Sequence, residues 1–275
     1  MVVFPHCKIN LGLNIVRKRD DGYHDIETLF LPIPFYDCLE IIPGSSDAGL
    51  QFSQSGLPVP GDPSQNLCLK AYQLLKNDFP QIPTAFLHLH KNIPTGAGLG
   101  GGSSDGAFTL RLLNLKFRLG LSAADLAAYG LELGSDVPFF LQDLPCLAGG
   151  RGELLEPVEI PLIGYAISLV NPGIQVPTAW AFSRVTPKNP SEQIRDIISD
   201  VDPTMWRNRL TNDFEKAVFE SYPEFAEIKK KLYEAGAAYA SLSGSGSTVY
   251  GIFKTEVPKM KWKEGYLNFS TPLFQ

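Results

Sequence analysis

The stretch with the plainest chemical capacity is Pro94-Thr-Gly-Ala-Gly-Leu-Gly-Gly-Gly-Ser-Ser104, in which five of eleven residues are glycine. It follows a strand-like segment, Ala85 to His90. It precedes a segment whose apolar positions, Ala107, Leu110, Leu113, Leu115 and Phe117, predict a helix opened by two serines and Asp105. Glycines accept φ of either sign and let backbone approach a ligand closely. The amides at a helix start, with its dipole, favour an anion. The pattern therefore predicts a phosphate cradle. It is not a Walker A loop, because Ser103-Ser104 stands where Lys-Ser or Lys-Thr would be required. Gly96-Ala-Gly98-Leu-Gly-Gly101 satisfies the dinucleotide spacing, as any glycine-dense stretch can, but no acidic residue closes a following strand about twenty positions on. The bland alternative is a flexible connector with Ser103 or Asp105 as an ordinary helix cap.

The elements that must hold this loop are legible around it. Lys8 to Val16 alternates polar and apolar residues, which predicts a half-buried strand with its polar side chains on one face. Leu67, Ala71, Leu74 and Leu75 form an apolar stripe that predicts a helix over Asn66 to Asp78. Ser122 heads another helix that stops near Leu133-Gly134. From Asp143 to Pro161 the chain is turn-rich, and Gly149-Gly150-Arg151-Gly152 marks a seam, so the reading divides the chain into residues 1–156 and 157–275. The second half reads as strand (Tyr165 to Val170), helices, then strands at Ala237 to Leu242 and Thr248 to Phe253. Lys188 to Pro203 reads as a polar surface excursion. Strands mixed with helices on one face indicate an α+β class.

Composition narrows the functions. The 275 residues are 44% hydrophobic with a net charge of −5, enough for one or two cores. An acidic balance argues against a sequence-independent grip on nucleic acid, which needs excess Lys and Arg. No basic leader with an apolar core opens the chain, and no run reaches the roughly eighteen apolar residues of a membrane span. Cys7, Cys38, Cys68 and Cys146 stand far apart without a CxxC pair, which fits a reducing compartment and predicts neither zinc site nor disulfide frame. A cytoplasmic protein is the economical expectation. His88 and His90 alternate on a strand without a third ligand nearby, so they read as surface residues and no metal ligand is assigned.

The glycine loop resembles the second motif of the GHMP kinases, which wrap ATP phosphates without a P-loop. Further segments match in order: Lys8-Ile-Asn-Leu-Gly-Leu-Asn14, Arg19-Asp-Asp-Gly-Tyr-His-Asp-Ile-Glu-Thr-Leu-Phe30, Leu133-Gly-Ser-Asp-Val-Pro-Phe-Phe140 and Ser241-Leu-Ser-Gly-Ser-Gly-Ser247. The last is similar to the third motif, which packs against the nucleotide loop. The combination resembles the branch of the family that acts on diphosphocytidyl-methylerythritol. The resemblance implies a two-domain GHMP kinase fold, with an N-terminal domain like ribosomal protein S5 domain 2 and a ferredoxin-like C-terminal sandwich.

The resemblance also implies roles. Asp136 corresponds to the catalytic aspartate that accepts or orients the hydroxyl proton, Lys8 to its companion lysine, and Asn10 to a polar substrate contact. Tyr23 and Phe182 match an aromatic pair that sandwiches cytosine, His24 a residue that bonds its edge, and Thr178 a substrate-contacting threonine. Pro94, Thr95, Gly96, Ala97, Gly98, Leu99, Gly100, Gly101, Gly102, Ser103 and Ser104 would hold ATP with Mg²⁺, and Asn66, Leu67 and Lys91 would line the nucleotide pocket. The expected partners are small molecules, with the chain a monomer or homodimer.

On residue type alone, Asp136 could be a turn-capping aspartate, Lys8 a solvated strand lysine, and Tyr23 and His24 ordinary loop residues. Another GHMP kinase acting on homoserine or a mevalonate derivative is the nearest rival. An RNA-contacting module is a more distant one. The chain departs from the family at Gly106, where alanine is usual and glycine should loosen the helix by up to about 1 kcal/mol. It departs again at His6-Cys7, where Pro-Ala is typical.

Overall fold

A computed structural model describes residues 1–44, 50–199 and 202–273. The strands are β1 (Val2–Val3), β2 (His6–Lys18), β3 (His24–Tyr36), β4 (Cys38–Pro43), β5 (Gln51–Gly56), β6 (Ala85–Lys91), β7 (Cys146–Gly149), β8 (Leu154–Pro157), β9 (Ala166–Asn171), β10 (Tyr239–Leu242), β11 (Val249–Phe253) and β12 (Leu267–Pro272). The helices are α1 (Leu67–Asp78), α2 (Gly101–Phe117), α3 (Ala123–Leu133), α4 (Thr178–Ser183), α5 (Ile194–Ile198), α6 (Glu215–Ser221) and α7 (Pro223–Glu234). The class is α+β.

Contacts group these into two compact units. The first comprises Met1–Cys7, Phe35–Thr95 and Gly100–Asp143; the second comprises Lys8–Pro34, Gly96–Leu99 and Leu144–Gln275. Pro157, near which the sequence places a boundary, falls inside the second.

In the first unit the sheet runs β1-β4-β6-β5, with β6 antiparallel to β4 and parallel to β5. Its apolar face, including Leu39, Ile41, Leu87 and Leu89, forms one core with Ala71 and Leu75 of α1, Leu110 and Leu113 of α2 and Leu126 of α3. Alternation along β6 sends Leu87 and Leu89 inward and leaves Phe86 exposed. The helices begin as their sequences dictate. Asn66 caps α1 through Cys68 N–H, and Ser122 and Asp125 form a reciprocal capping box on α3. Gly106 admits Leu67: a Cβ at that position would stand 3.0 Å from the Leu67 Cβ, so the glycine that weakens α2 locally lets α1 approach it.

The second unit holds two sheets, β2-β3-β7-β8 and β10-β11-β9-β12. Val170, Leu242, Val249 and Phe253 pack against Val218 of α6 and Phe225, Ile228 and Leu232 of α7. The last three recur at helical spacing behind Pro223, the first residue of α7.

Four sequence expectations change. Strand β2 is not half-buried: His6 to Ile15 are all buried, so the polar face carrying Lys8, Asn10 and Asn14 is covered as well. Gly149 to Gly152 turns the antiparallel hairpin β7–β8. The segment from Lys188 to Pro203 is not wholly a surface excursion, since α5 buries Ile194, Ile197 and Ile198; Asp200 and Val201 lie outside the described residues. Finally β12, which the sequence reading omits, pairs with β9 along six residues.

Candidate active site

In the second unit, Lys8 and Asn10 lie on the buried polar face of β2. The Lys8 ammonium donates to Asn10 Oδ1 at 2.6 Å and stands 4.5 Å from the Phe30 ring centroid. Asn10 Nδ2 donates to Thr28 Oγ1 at 3.0 Å, and that hydroxyl donates to Gly12 O at 2.5 Å. Lys8 is 5% exposed, so it is not a solvated strand lysine. A buried ammonium needs partners of this kind.

The middle of the glycine loop is fastened to the same strand. Lys8 N–H donates to Leu99 O at 2.9 Å, Thr248 N–H to Ala97 O at 3.0 Å and Ser243 Oγ to Gly98 O at 2.7 Å. Asn10 N–H donates to Ser243 Oγ at 3.2 Å. The turn between β10 and β11 thus packs against the loop as the resemblance implies. Gly98 is required there: its φ is +75°, and a Cβ would fall 2.0 Å from Ser243 O.

Three aromatic positions and a threonine complete the expected substrate side of this unit. The His24 and Phe182 rings stack at 4.8 Å and 19°. Tyr23 is not the ring on Phe182; it is 57% exposed, with the Arg151 guanidinium 5.0 Å from its ring centroid. Burial, with a smaller effect of Lys18, holds the His24 imidazole below its usual pKa. Thr178 Oγ1 lies 3.3 Å from Ser245 Oγ, which fixes α4 to the β10–β11 turn.

In the first unit, α2 begins at Gly101, two residues before the serines that the sequence suggests. Its cap is neither Ser103 nor Asp105 but Gly100, in the left-handed region at φ +68° and without a side-chain capping bond. The first helical bond runs from Ser104 N–H to Gly100 O, so the amides of Gly101, Gly102 and Ser103 precede it. Gly102 is exposed, whereas Ser104 is fully buried and its hydroxyl has no hydrogen-bond partner among the described residues. An open helix start of this kind can receive an anion.

Asn66 and Leu67 stand at the head of α1. The ammonium of Lys91 is buried and bonds to Asp37 and, at 2.6 Å, to Asp105. Asp136 is half-buried and precedes the 3-10 helix Val137–Leu141, which its carboxylate does not cap. That helix is held by His6, whose ring contacts Phe139 and Phe140 and whose Nε2 lies 3.0 Å from Asp143 Oδ1. Partial burial pushes the Asp143 carboxyl up, but bonds from His6 and Arg111 outweigh it and hold its pKa below the usual range. The unusual His6 therefore has a packing role. His88 and His90 bond to Ser53 and Ser55 on the neighbouring strand.

Sequence reasoning gave no site role to Thr28, Asp37, Asp105, Arg151, Ser243 or Ser245. Thr28 and both serines sit inside segments already singled out; Asp37 carries no local signal.

Comparison with known proteins identifies the family. The GHMP kinases N terminal domain matches residues 66–143, and the GHMP kinases C terminal domain matches residues 197–260. A 4-diphosphocytidyl-2-C-methyl-D-erythritol kinase of Bacteroides fragilis is 48% identical, covering 99% of this chain and 100% of that protein. One from Azobacteroides pseudotrichonymphae is 50% identical over 92% of this chain and 94% of its own. A crystal structure of 4-(cytidine 5'-diphospho)-2C-methyl-D-erythritol kinase superposes with a TM-score of 0.80 at 33% identity, covering 93% of this chain and 91% of the other. A mevalonate kinase of Methanococcus jannaschii shares the fold, with a TM-score of 0.70 at 13% identity over 100% and 98% of the two chains. The chain belongs to the GHMP kinases, and within them to the 4-diphosphocytidyl-2-C-methyl-D-erythritol kinase family.

Proposed function

We propose that this kinase transfers the γ-phosphoryl group of ATP to the 2-hydroxyl of 4-diphosphocytidyl-2-C-methyl-D-erythritol, a step of the non-mevalonate route to isoprenoids. The observation that supports the reading is the bond from Lys8 N–H to Leu99 O, which ties the strand bearing Lys8 to the middle of the glycine loop. Phosphoryl transfer depends on positioning and on charge stabilisation more than on covalent work by the protein.

In this reading the loop from Pro94 to Ser104 cradles the triphosphate, with the amides of Gly101 to Ser103 as donors. Asn66, Leu67 and Lys91 belong to the nucleotide side. Lys8 stabilises negative charge, and Asn10 keeps its ammonium oriented. Asp136 orients the hydroxyl and accepts its proton late. Tyr23 and Phe182 take the cytosine faces, His24 its edge and Thr178 the substrate chain. Magnesium would neutralise phosphate charge during transfer. Residues 1–156 and 157–275 would be the two family domains. A cytoplasmic monomer or homodimer without a nucleic-acid partner completes the proposal; no described helix is long and apolar enough to cross a membrane.

Coupled ADP release with a panel of alcohols tests the substrate. Turnover should require the cytidine-linked alcohol, and equal rates with homoserine or mevalonate would defeat the assignment. Asp136→Ala should lower kcat by about a hundredfold to ten-thousandfold while ATP still binds by calorimetry. Undiminished turnover in that variant would remove Asp136 from the mechanism.

A further inference from the structure

Beside the start of α2 lies a buried ionic group in which Lys91, placed above on the nucleotide side, meets two carboxylates to which the proposed chemistry gives no role. Asp37, Lys91 and Asp105 are 0%, 2% and 3% exposed. Asp37 Oδ1 accepts from the backbone N–H groups of Asn92 at 2.6 Å and Ile93 at 2.9 Å, and its Oδ2 accepts from the Lys91 ammonium. Lys91 also donates to Asp105 Oδ2 at 2.6 Å. Asn92 and Ile93 are the residues immediately before the glycine loop, and Asp105 is the residue immediately after it. The packing is tight: a Cβ on Gly101 would lie 2.8 Å from the Ile93 side chain and 3.4 Å from Lys91 Nζ.

We propose that Asp37, Lys91 and Asp105 are positioning residues for ATP: a buried clasp that ties both ends of the glycine loop together and sets where the first amides of α2 stand. The proposal rests on the reading that the loop holds the triphosphate. In this arrangement Lys91 acts through the clasp, because both of its bonds are to carboxylates of the same unit.

The charge count gives the clasp a second property. Two carboxylates face one ammonium, so the group is net negative beside an anion site unless it retains a proton. Asp37 uses both oxygens as acceptors, whereas Asp105 Oδ1 is buried without a hydrogen-bond partner among the described residues and offers the proton a place. Burial pushes the Asp105 carboxyl up to about 8, against the pull of Lys91 and with a further push from Asp37. Burial works against the Lys91 charge, but the two carboxylates outweigh it and raise its pKa. Cys68 of α1 also lies within the field of Asp105, and burial, with a smaller push from Asp105, raises its thiol far out of its normal range. A proton held by Asp105 leaves the clasp neutral. Its loss leaves one negative charge about one helical turn behind Gly101, the first residue of α2.

The test is the KM for ATP and the KM for the alcohol, measured separately from about pH 6 to about pH 10, in wild type and in Asp105→Asn, Lys91→Met and Asp37→Asn. In wild type the KM for ATP should climb as pH rises through about 8, while the KM for the alcohol stays level. Asp105→Asn, which mimics the protonated side chain, should flatten that climb. Lys91→Met and Asp37→Asn should each raise the KM for ATP by about tenfold or more, a loss of positioning seen in KM before kcat. If either variant fails to fold, Asp105→Asn still decides: an unaltered climb, or none in wild type, overturns the proposal, as would equal effects on both KM values.

Melting temperatures give an independent reading. A carboxyl raised from its ordinary range to about 8 makes the folded chain hold a proton that the unfolded chain lacks, so stability should fall as pH rises from the carboxylate range to about 8 and then level. Asp105→Asn should remove most of that slope. Gly102→Val, which puts a branched side chain into the open loop, separates the two readings. If it leaves ATP binding intact, the loop assignment fails. If it abolishes binding while the clasp variants do nothing, only the clasp fails.

Discussion

At the scale of single residues, the base pocket makes the sharpest claim. Phe182 is stacked by His24, while Tyr23 stands outward with Arg151 over its ring. On the proposed reading, cytosine takes the place of the His24 ring against Phe182, His24 turns to the base edge and Tyr23 closes the other face. Stacking of a base on an aromatic ring contributes about 1–3 kcal/mol, so Tyr23→Ala and Phe182→Ala should each raise the KM for the cytidine substrate by about fivefold to a hundredfold. The KM for ATP should hardly move. Steady-state kinetics with each substrate varied in turn checks this; parallel increases in both constants would remove these rings from base recognition. His24, kept below its usual pKa by burial, is suited to a neutral edge contact at neutral pH. The types Tyr, His and Phe were readable in the chain, but their pairing was not, because which ring faces which depends on segments 158 residues apart.

At the scale of elements, the loop is defined by what grips it. Its middle residues hang from β2 and from the β10–β11 turn, and its ends are tied to β6 and α2. Gly98→Ala would strain a backbone at φ +75° and drive a methyl group into Ser243 O. A cost of about 1–3 kcal/mol is expected from the strained conformation alone. The variant should melt lower than wild type and bind ATP more weakly, as read by thermal denaturation and calorimetry; unchanged behaviour in both would show that the grip of the β10–β11 turn is dispensable. Helices were the most legible elements. The stripe in α1, the Ser122 capping box and the stop at Gly134 all stand where periodicity and caps placed them. The start of α2 was displaced because a glycine in the left-handed region can cap a helix without a side chain, and no residue type announces that.

At the scale of the whole chain, the two compact units are each assembled from separated stretches, and the glycine loop contributes residues to both. Each substrate should bind the folded chain and not the unfolded one, so each should raise the melting temperature. At a ligand concentration about a hundred times Kd the gain is about 2.7 kcal/mol. Thermal melts with ATP and Mg²⁺, and separately with the cytidine-linked alcohol, check this. A chain that responds to neither ligand would contradict the proposed function as a whole.

What the chain declares by itself is local: glycine density with flanking strand and helix, stripes at helical spacing, caps, and ordered motifs that resemble a kinase family. Those follow from backbone preference and side-chain period, which act over a few residues. Burial of polar groups does not. The alternation of β2 reads as a strand with one wet face. Only the folded chain covers that face, with Thr28 bonding to Asn10 across 18 residues and Ser243 across 233. Nor does the sequence show that Lys91, expected to line a nucleotide pocket, is held by Asp37, 54 residues away. Partners so distant in sequence leave no periodic trace, because their meeting is decided by the packing of whole elements and by the cost of burying a charge unpaired.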